Sequence, residues 1–189
     1  MRRIGSAEEE ASKRKRNQII VGIVLIVVML FSVLGYSFQG GDSSTKDKKI
    51  IYNGFEFIEQ NNFWLSSIGN IQFSFKYNPK QVEKISSDIK TLDNYYNKPL
   101  YISSENIEAE SEVYRNLVQV VQRVQEACLE NEKCTGDLPY KTCKDNLIVI
   151  KESGSNSIRQ EDNCVFIDGK KDDLVKLADE FLFKILDVE

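Results

Sequence analysis

The sequence predicts an α+β fold in which an N-terminal transmembrane helix is followed by an antiparallel sheet packed with two amphipathic helices. Three observations carry this prediction: an uncharged apolar run, one segment of strict apolar and polar alternation, and two segments with apolar residues spaced three and four apart. They divide the 189 residues into a cytoplasmic tail (1–18), a transmembrane signal-anchor helix (19–38), a flexible linker (39–49) and an extracytoplasmic α+β domain (50–189).

The apolar run extends from Ile19 to Phe38 without one charge. A hydrocarbon core about 30 Å thick is crossed by roughly 20 apolar residues in a helix, so the run predicts a single membrane span with the lipid bilayer as its partner. A cleavable signal peptide is the alternative. Its apolar core is usually about 7 to 15 residues long and is followed by small residues, whereas this run is longer and ends in Gly-Tyr-Ser-Phe.

The charges on either side of the run predict its orientation. Lys and Arg cluster before it, whereas the segment after it mixes Lys with Asp. Because basic flanks stay in the cytoplasm, we expect the N-terminus inside, the C-terminal domain outside, and the chain in the cell membrane. Residues 50–189 hold 16 basic and 24 acidic side chains, a net charge of −8. This balance argues against nucleic acid as a partner.

The first half of the domain predicts a three-stranded meander. Residues 71–77 alternate strictly, and Gly69-Asn70 suits a two-residue hairpin turn. Counting outward from the turn pairs Ile68 with Ile71, Ser66 with Phe73 and Trp64 with Phe75. The run Ile51–Ile58 adds the third strand, with Phe57 facing Trp64. The aromatic face that results is expected to be core packed on a helix, with a ligand-binding wall as the alternative.

Two amphipathic helices are predicted further along the chain. The first covers Ile107–Leu129 and starts near Ser104; the second covers Asp172–Leu186. Between and before them, short apolar runs predict strands at Leu100–Ile102, Leu147–Ile150 and Cys164–Ile167, and the last two are joined by the turn Glu152–Ser157.

All four cysteines, Cys128, Cys134, Cys143 and Cys164, fall in the predicted outer domain. An even number of cysteines in an oxidising compartment predicts two disulfides. Three pairings are possible, and we favour Cys128 with Cys134 at the end of a helix and Cys143 with Cys164 across adjacent strands. A zinc site is the alternative, although the spacing lacks close cysteine pairs. No Cys-x-x-Cys is present to indicate a redox role.

Few catalytic constellations are compatible with this composition. The chain has no histidine, which excludes Ser-His-Asp and Cys-His catalysis, and no glycine-rich phosphate loop lies between a strand and a helix. Carboxylates could act alone, and Asp145, Glu161, Asp162 and Asp168 lie near predicted strand ends. The segment 168–173 (DGKKDD) lacks the ligand pattern of a calcium loop. We therefore predict no catalytic residues, no cofactor and no metal.

The motifs YNGFEFI, FSFKYNP, LPYKTCKDNLIVI and NCVFIDG, together with the anchor and the closing helix, resemble a group of uncharacterised archaeal single-pass membrane proteins. The resemblance covers most of the outer domain. It implies a membrane location and disulfides, and it implies no catalytic residue, because no activity is known for the group.

Two classes of function remain open from sequence. The first is a non-enzymatic module at the outer face of the membrane that binds a protein or another envelope component. The second is a carboxylate-dependent envelope hydrolase or a small-ligand-binding protein, which would need convergent acidic side chains in a pocket. The oligomeric state stays unknown.

Overall fold

The computed structural model describes residues 7–39, 48–130, 132, 134 and 136–189. The chain divides into two units, Met1–Lys46 and Asp47–Glu189. The first unit contains the helix α1 (Ala7–Gln39), whose side chains are described over residues 16–32. Within that stretch the large apolar side chains from Ile19 to Phe31 are exposed.

No helix in the described part of the chain is both long enough and apolar enough to cross a membrane. This finding contradicts the transmembrane helix in the predicted fold class. The side chain of Phe38 and residues 40–47 of the predicted linker lie outside the described residues.

The second unit begins with a four-stranded antiparallel meander, β1 to β4 in spatial order. Its strands are Lys49–Tyr52, Phe55–Gln60, Phe63–Ile68 and Ile71–Phe75. The predicted pairs across the Gly69-Asn70 turn are confirmed: Ile68 with Ile71, Ser66 with Phe73, and Trp64 with Phe75.

The number of strands in the meander was predicted wrongly. Asn53 and Gly54 have φ of 45° and 87° and turn the chain inside the run 51–58, which therefore forms β1 and β2. The register of β2 is also shifted, because Trp64 faces Glu59 and not Phe57. A shift of two residues keeps every side chain on its predicted face.

The aromatic face of the meander is core, as predicted. Phe57, Phe73 and Phe75 are essentially inaccessible and Trp64 is buried. Their partner is Phe183, whose ring centre lies 4.7 Å from that of Phe75. These contacts confirm the packing of an antiparallel sheet on a helix.

A second, five-stranded sheet follows in the order β10-β11-β9-β5-β6. β10 is antiparallel to its neighbour, whereas the other pairs are parallel. Two helices, α2 and α3, join this sheet and the meander in one hydrophobic core. The remaining elements are β5 (Pro99–Ser104), α2 (Ile107–Leu117), β6 (Arg123–Glu126), β7 (Cys128–Leu129), β8 (Tyr140–Lys141), β9 (Leu147–Glu152), β10 (Ser157–Glu161), β11 (Cys164–Gly169) and α3 (Leu174–Ile185).

The first predicted helix, Ile107–Leu129, is about twice as long as the observed helix α2. α2 begins after Asn106, whose Oδ1 accepts the N–H of Ala109 at 2.9 Å, and it ends at Leu117. Residues 123–126 leave the helix and form β6 beside β5. Val124 stands between the polar residues Arg123 and Gln125, a pattern that also suits an edge strand, and pairing with the backbone of β5 decides between the two structures.

The region between β9 and β11 contains an element that the sequence did not predict. The turn Glu152–Ser157 leads into β10, so β9 and β11 become parallel neighbours rather than a hairpin. Among the residues of β10, Ile158 alone is buried. An edge strand with one apolar side chain gives little signal in a sequence.

Polar side chains of both helices, and of Gln119 just after α2, cover the free edge of β4 and the residues after it. We call this set of hydrogen bonds the edge ladder. Gln119 Nε2 donates to the carbonyl of Gln72 at 3.0 Å, and Asn116 Nδ2 donates to the carbonyl of Ser74 at 2.9 Å. Three carbonyl or carboxylate oxygens accept backbone N–H groups: Asn116 Oδ1 from Ser74 (2.8 Å), Glu112 Oε1 from Lys76 (3.1 Å) and Asp179 Oδ2 from Tyr77 (2.8 Å). The side chains thereby replace a missing neighbouring strand.

Two carboxyl groups of α3 are buried beneath this edge. Burial, reinforced by the nearby charge of Glu112, raises the pKa of Asp179 well above its usual range. Burial also raises the pKa of Glu180 to about 7, against the hydrogen bond that its Oε1 accepts from the N–H of Ile85 at 3.1 Å. Asp179 therefore favours its neutral form in the folded domain, and Glu180 favours its neutral form below about pH 7.

Candidate functional site

A cleft opens at the carboxyl ends of three parallel strands, β5, β6 and β9. From β5 the chain continues through α2 to β6 on one side, whereas from β9 it continues to β10 and β11 on the other. The ends of β5 and β9 therefore form a topological switch point, where ligands bind in open sheets with parallel strands. The fold thus makes this cleft the first candidate for a binding site.

The cleft has a volume of about 230 Å³. Its floor is apolar and its rim is polar, with carboxylates contributed by the end of β5, by α2, by the end of β6 and by the segment after β7. The lining residues are Ile102, Ser103, Ser104, Glu105, Glu110, Glu126, Ala127, Glu132, Cys134, Leu138, Ile150 and Lys151.

A disulfide between Cys128 and Cys134 holds one wall of the cleft, with the two Cα atoms 6.0 Å apart. The segment that it closes carries Glu132, which forms an ion pair with Lys151 at the end of β9. The second disulfide joins Cys143 to Cys164, with 4.8 Å between their Cα atoms. Both favoured pairings are confirmed, although Cys128 lies in β7 and not at the end of a helix, and Cys143 lies in a turn and not in a strand.

The cleft has a negative electrostatic character. Burial, and then the neighbouring charge of Glu126, raises the pKa of Glu110 above its ordinary value. Among the residues that the structure describes, Lys151 is the one basic residue in the lining, and Glu132 already pairs with it. Among the described residues, no ion pair engages Glu105, Glu110 or Glu126, so a bound cation would lower the repulsion between them.

The carboxylates singled out from the sequence do not meet in this cleft. Asp145 lies before β9, at the opposite end of the sheet, where it contacts Lys141 at 3.5 Å. Glu161 and Asp168 both pair with Arg159 of β10, and Asp162 lies in the turn before β11. Within the described residues, no three metal-binding side chains converge on one point.

Sequence reasoning missed the cleft because it missed the end of β6. Glu126 is the last residue of that strand, Ser103 and Ser104 are the last residues of β5, and Glu105 follows them directly. Once residues 123–126 are assigned as a strand and not as helix, the acidic and hydroxyl side chains fall at the same edge of one sheet. The polar residues that directly follow apolar strands were the signal.

No family model, curated protein or solved structure matches this chain. The function is therefore inferred from the side chains that line the cleft.

Proposed function

We propose that the domain is a binding module that recognises a cationic group, such as a lysine or arginine side chain of a protein partner, in the cleft at the carboxyl ends of β5, β6 and β9. One observation carries the proposal: Glu105, Glu110 and Glu126 surround an apolar floor at a topological switch point. An ammonium or guanidinium group would meet the carboxylates while its alkyl stem covers the floor.

The two disulfides support an extracytoplasmic location for this module. Structural disulfides persist in oxidising compartments and are rare in reducing ones. Each of them lies beside strands of the second sheet. A binding surface that is fixed in this way loses less conformational freedom when a ligand binds.

Calorimetric titration of the full-length chain with spermidine and with N-acetyl-arginine amide tests the proposal. Removing one carboxylate charge with Glu126→Gln should weaken binding about fivefold, since a charged hydrogen bond contributes about 1 kcal/mol or more. Glu108→Gln is the matched control, because Glu108 is exposed on the same helix as Glu110 and does not line the cleft.

Amide chemical shifts give the position of the ligand in the same titration. Shifts at Ser103, Ser104 and Lys151 place the cation in the cleft. Heat and shift changes that are identical in wild type and Glu126→Gln would exclude the cleft as the site.

A second candidate function, carboxylate-dependent hydrolysis, is favoured by the raised pKa of Glu110 beside Glu126. A carboxyl group that stays protonated next to an ionised one can act as a general acid. Turnover of chromogenic glycosides that is lost in Glu110→Gln would support this reaction. Cation binding without turnover supports the binding module.

A further inference from the structure

A second pocket lies at the opposite end of the same sheet, where β5, β9 and β11 begin. Its volume is about 400 Å³. The lining differs from that of the acidic cleft, because it consists of amide, ammonium and phenol groups with one carboxylate. The lining residues are Asn94, Lys98, Pro99, Tyr101, Lys144, Asp145, Asn146 and Asn163.

The walls of this pocket are held by hydrogen bonds between its own asparagines and the backbone. Asn94 Nδ2 donates to Asn146 Oδ1 at 3.2 Å, and Asn146 Nδ2 donates to the carbonyl of Asn94 at 3.2 Å. Asn163 Nδ2 donates to the carbonyl of Lys144 at 3.1 Å. The disulfide between Cys143 and Cys164 joins the residues next to these walls. The pocket is therefore preorganised.

Basic side chains concentrate at this end of an otherwise acidic domain. Lys98 and Lys144 line the pocket, and Arg123 and Lys141 contact Tyr101 in its wall. Asp145 is the single carboxylate of the lining, and it contacts Lys141 at 3.5 Å. The local balance favours an anion.

Tyr101 is the polar centre of this arrangement. Arg123 Nη2 donates to its phenol oxygen at 3.0 Å. Lys141 Nζ lies 4.1 Å from the centre of the Tyr101 ring. A phenol oxygen has two lone pairs and one proton. Arg123 occupies one lone pair, the hydroxyl proton remains to be donated, and no described residue accepts it.

The two cations also change the chemistry of the hydroxyl group. The Lys141 ammonium, followed by the Arg123 guanidinium, lowers the pKa of Tyr101 below its ordinary value. A more acidic O–H is a stronger hydrogen-bond donor to a charged oxygen. The side chain is therefore suited to donate to an oxyanion.

We propose that the pocket at the amino ends of β5, β9 and β11 binds a compact oxyanion, free phosphate or the phosphoryl group of a larger ligand, with Tyr101 donating its hydroxyl proton and Lys98 and Lys144 supplying positive charge. Nothing in this site depends on the acidic cleft. The two ligands have opposite charge and enter opposite ends of the sheet.

Calorimetric titration of the full-length chain with inorganic phosphate, at an ionic strength held constant with sodium chloride, tests the site. Tyr101→Phe removes one O–H and should weaken phosphate binding about tenfold or more, because a hydrogen bond to a charged group is lost. Tyr114→Phe, the same change at an exposed position of α2, should leave the affinity unchanged. Lys144→Ala, which changes an exposed side chain, should weaken binding without disturbing the core.

The position of Tyr101 in the site is checked by ultraviolet titration of its phenolate. A bound anion disfavours the phenolate, so phosphate should raise the pH at which the most acidic tyrosine ionises, and Tyr101→Phe should remove that transition. Methyl phosphate separates the two sources: tighter binding than inorganic phosphate indicates a phosphoryl ester, and weaker binding indicates the free ion. Equal affinity in wild type and Tyr101→Phe, or no binding of phosphate above chloride, would overturn the site.

Discussion

The two ends of the five-stranded sheet differ in almost every chemical respect, although the same strands supply both. Of the described residues, four glutamates and one lysine line the cleft at the carboxyl ends of β5, β6 and β9. At the amino ends, two lysines and one aspartate line the pocket around Tyr101. Each end lies next to a different disulfide. The comparison indicates that one rigid scaffold can present two ligand sites of opposite charge.

The hydrophobic core that joins the meander to the five-stranded sheet should be the most sensitive part of the molecule. Phe73 is essentially inaccessible in the core, and Phe73→Ala should lower the free energy of unfolding by about 3 to 5 kcal/mol. Ser74→Ala should cost far less, because Ser74 is bound to Asn116 through its backbone. Denaturant unfolding measures both changes. Equal losses at the two positions would contradict the alternation of β4.

Removing one disulfide should affect mainly the end of the five-stranded sheet beside which it lies. The Cys143–Cys164 bridge spans 21 residues and the Cys128–Cys134 bridge spans 6. In the chain-entropy model, replacing both cysteines of a bridge by serine should cost about 3 kcal/mol for the longer bridge and about 2 kcal/mol for the shorter one. Calorimetric melting measures this order.

Ligand titrations of the two serine double variants test the assignment of each bridge to one end. Loss of the longer bridge should weaken phosphate binding and spare cation binding, and loss of the shorter bridge should do the reverse. A chelator should leave the melting temperature of the wild-type chain unchanged. Parallel losses at both ends would show that neither bridge acts locally.

The overall stability should fall as the pH rises, independently of either end. The pKa of Glu180 is raised from its ordinary 4.5 to about 7, so the folded state binds the proton more tightly than the unfolded state. Its contribution is complete below pH 4.5 and is lost as the pH rises through about 7. We expect a loss on the order of 2 kcal/mol between pH 5 and pH 8.

Glu180→Gln isolates this effect, because it removes the titrating group and retains its shape. Unfolding free energies of this variant should vary less with pH than those of the wild type. The buried Asp179 should continue to contribute in the same direction, since its pKa is also raised. A steeper pH dependence in the variant would contradict the buried neutral carboxyl.

The pH dependence of ligand affinity should be the smallest effect, and it tests most directly whether the two ends of the sheet bind ligands of opposite charge. Cation affinity at the carboxyl end should rise with pH as Glu110 ionises, because its pKa is raised. The affinity of the pocket at the amino ends for sulfate, another compact oxyanion, should fall at alkaline pH. The reason is that Tyr101, whose pKa is lowered, then loses its proton. Each change should be a few-fold. Tyr101→Phe should flatten the second curve alone, and two curves of the same sign would refute the assignment of opposite charge.

The sequence was informative where side chains alternate and turns have characteristic residues. The hairpin at Gly69-Asn70, the aromatic core and the second helix all follow from local patterns. The end of the first helix does not, because the segment 118–126 satisfies a helical and an extended pattern equally well, and pairing with β5 decides the outcome. Both proposed sites depend on which strands are neighbours, so the polar residues that follow the apolar strands could not by themselves show which side chains would meet.

The edge ladder restricts which insertions the domain can tolerate. Four residues of a helix rise about 6 Å, and two residues of a strand rise about 6.6 Å. Asn116 and Glu112 are four apart on α2, and they contact Ser74 and Lys76, which are two apart along the chain. The spacing of these side chains along the helix therefore nearly equals the spacing of their backbone partners along the strand. A single added residue in either element would move every later side chain out of reach of its backbone partner.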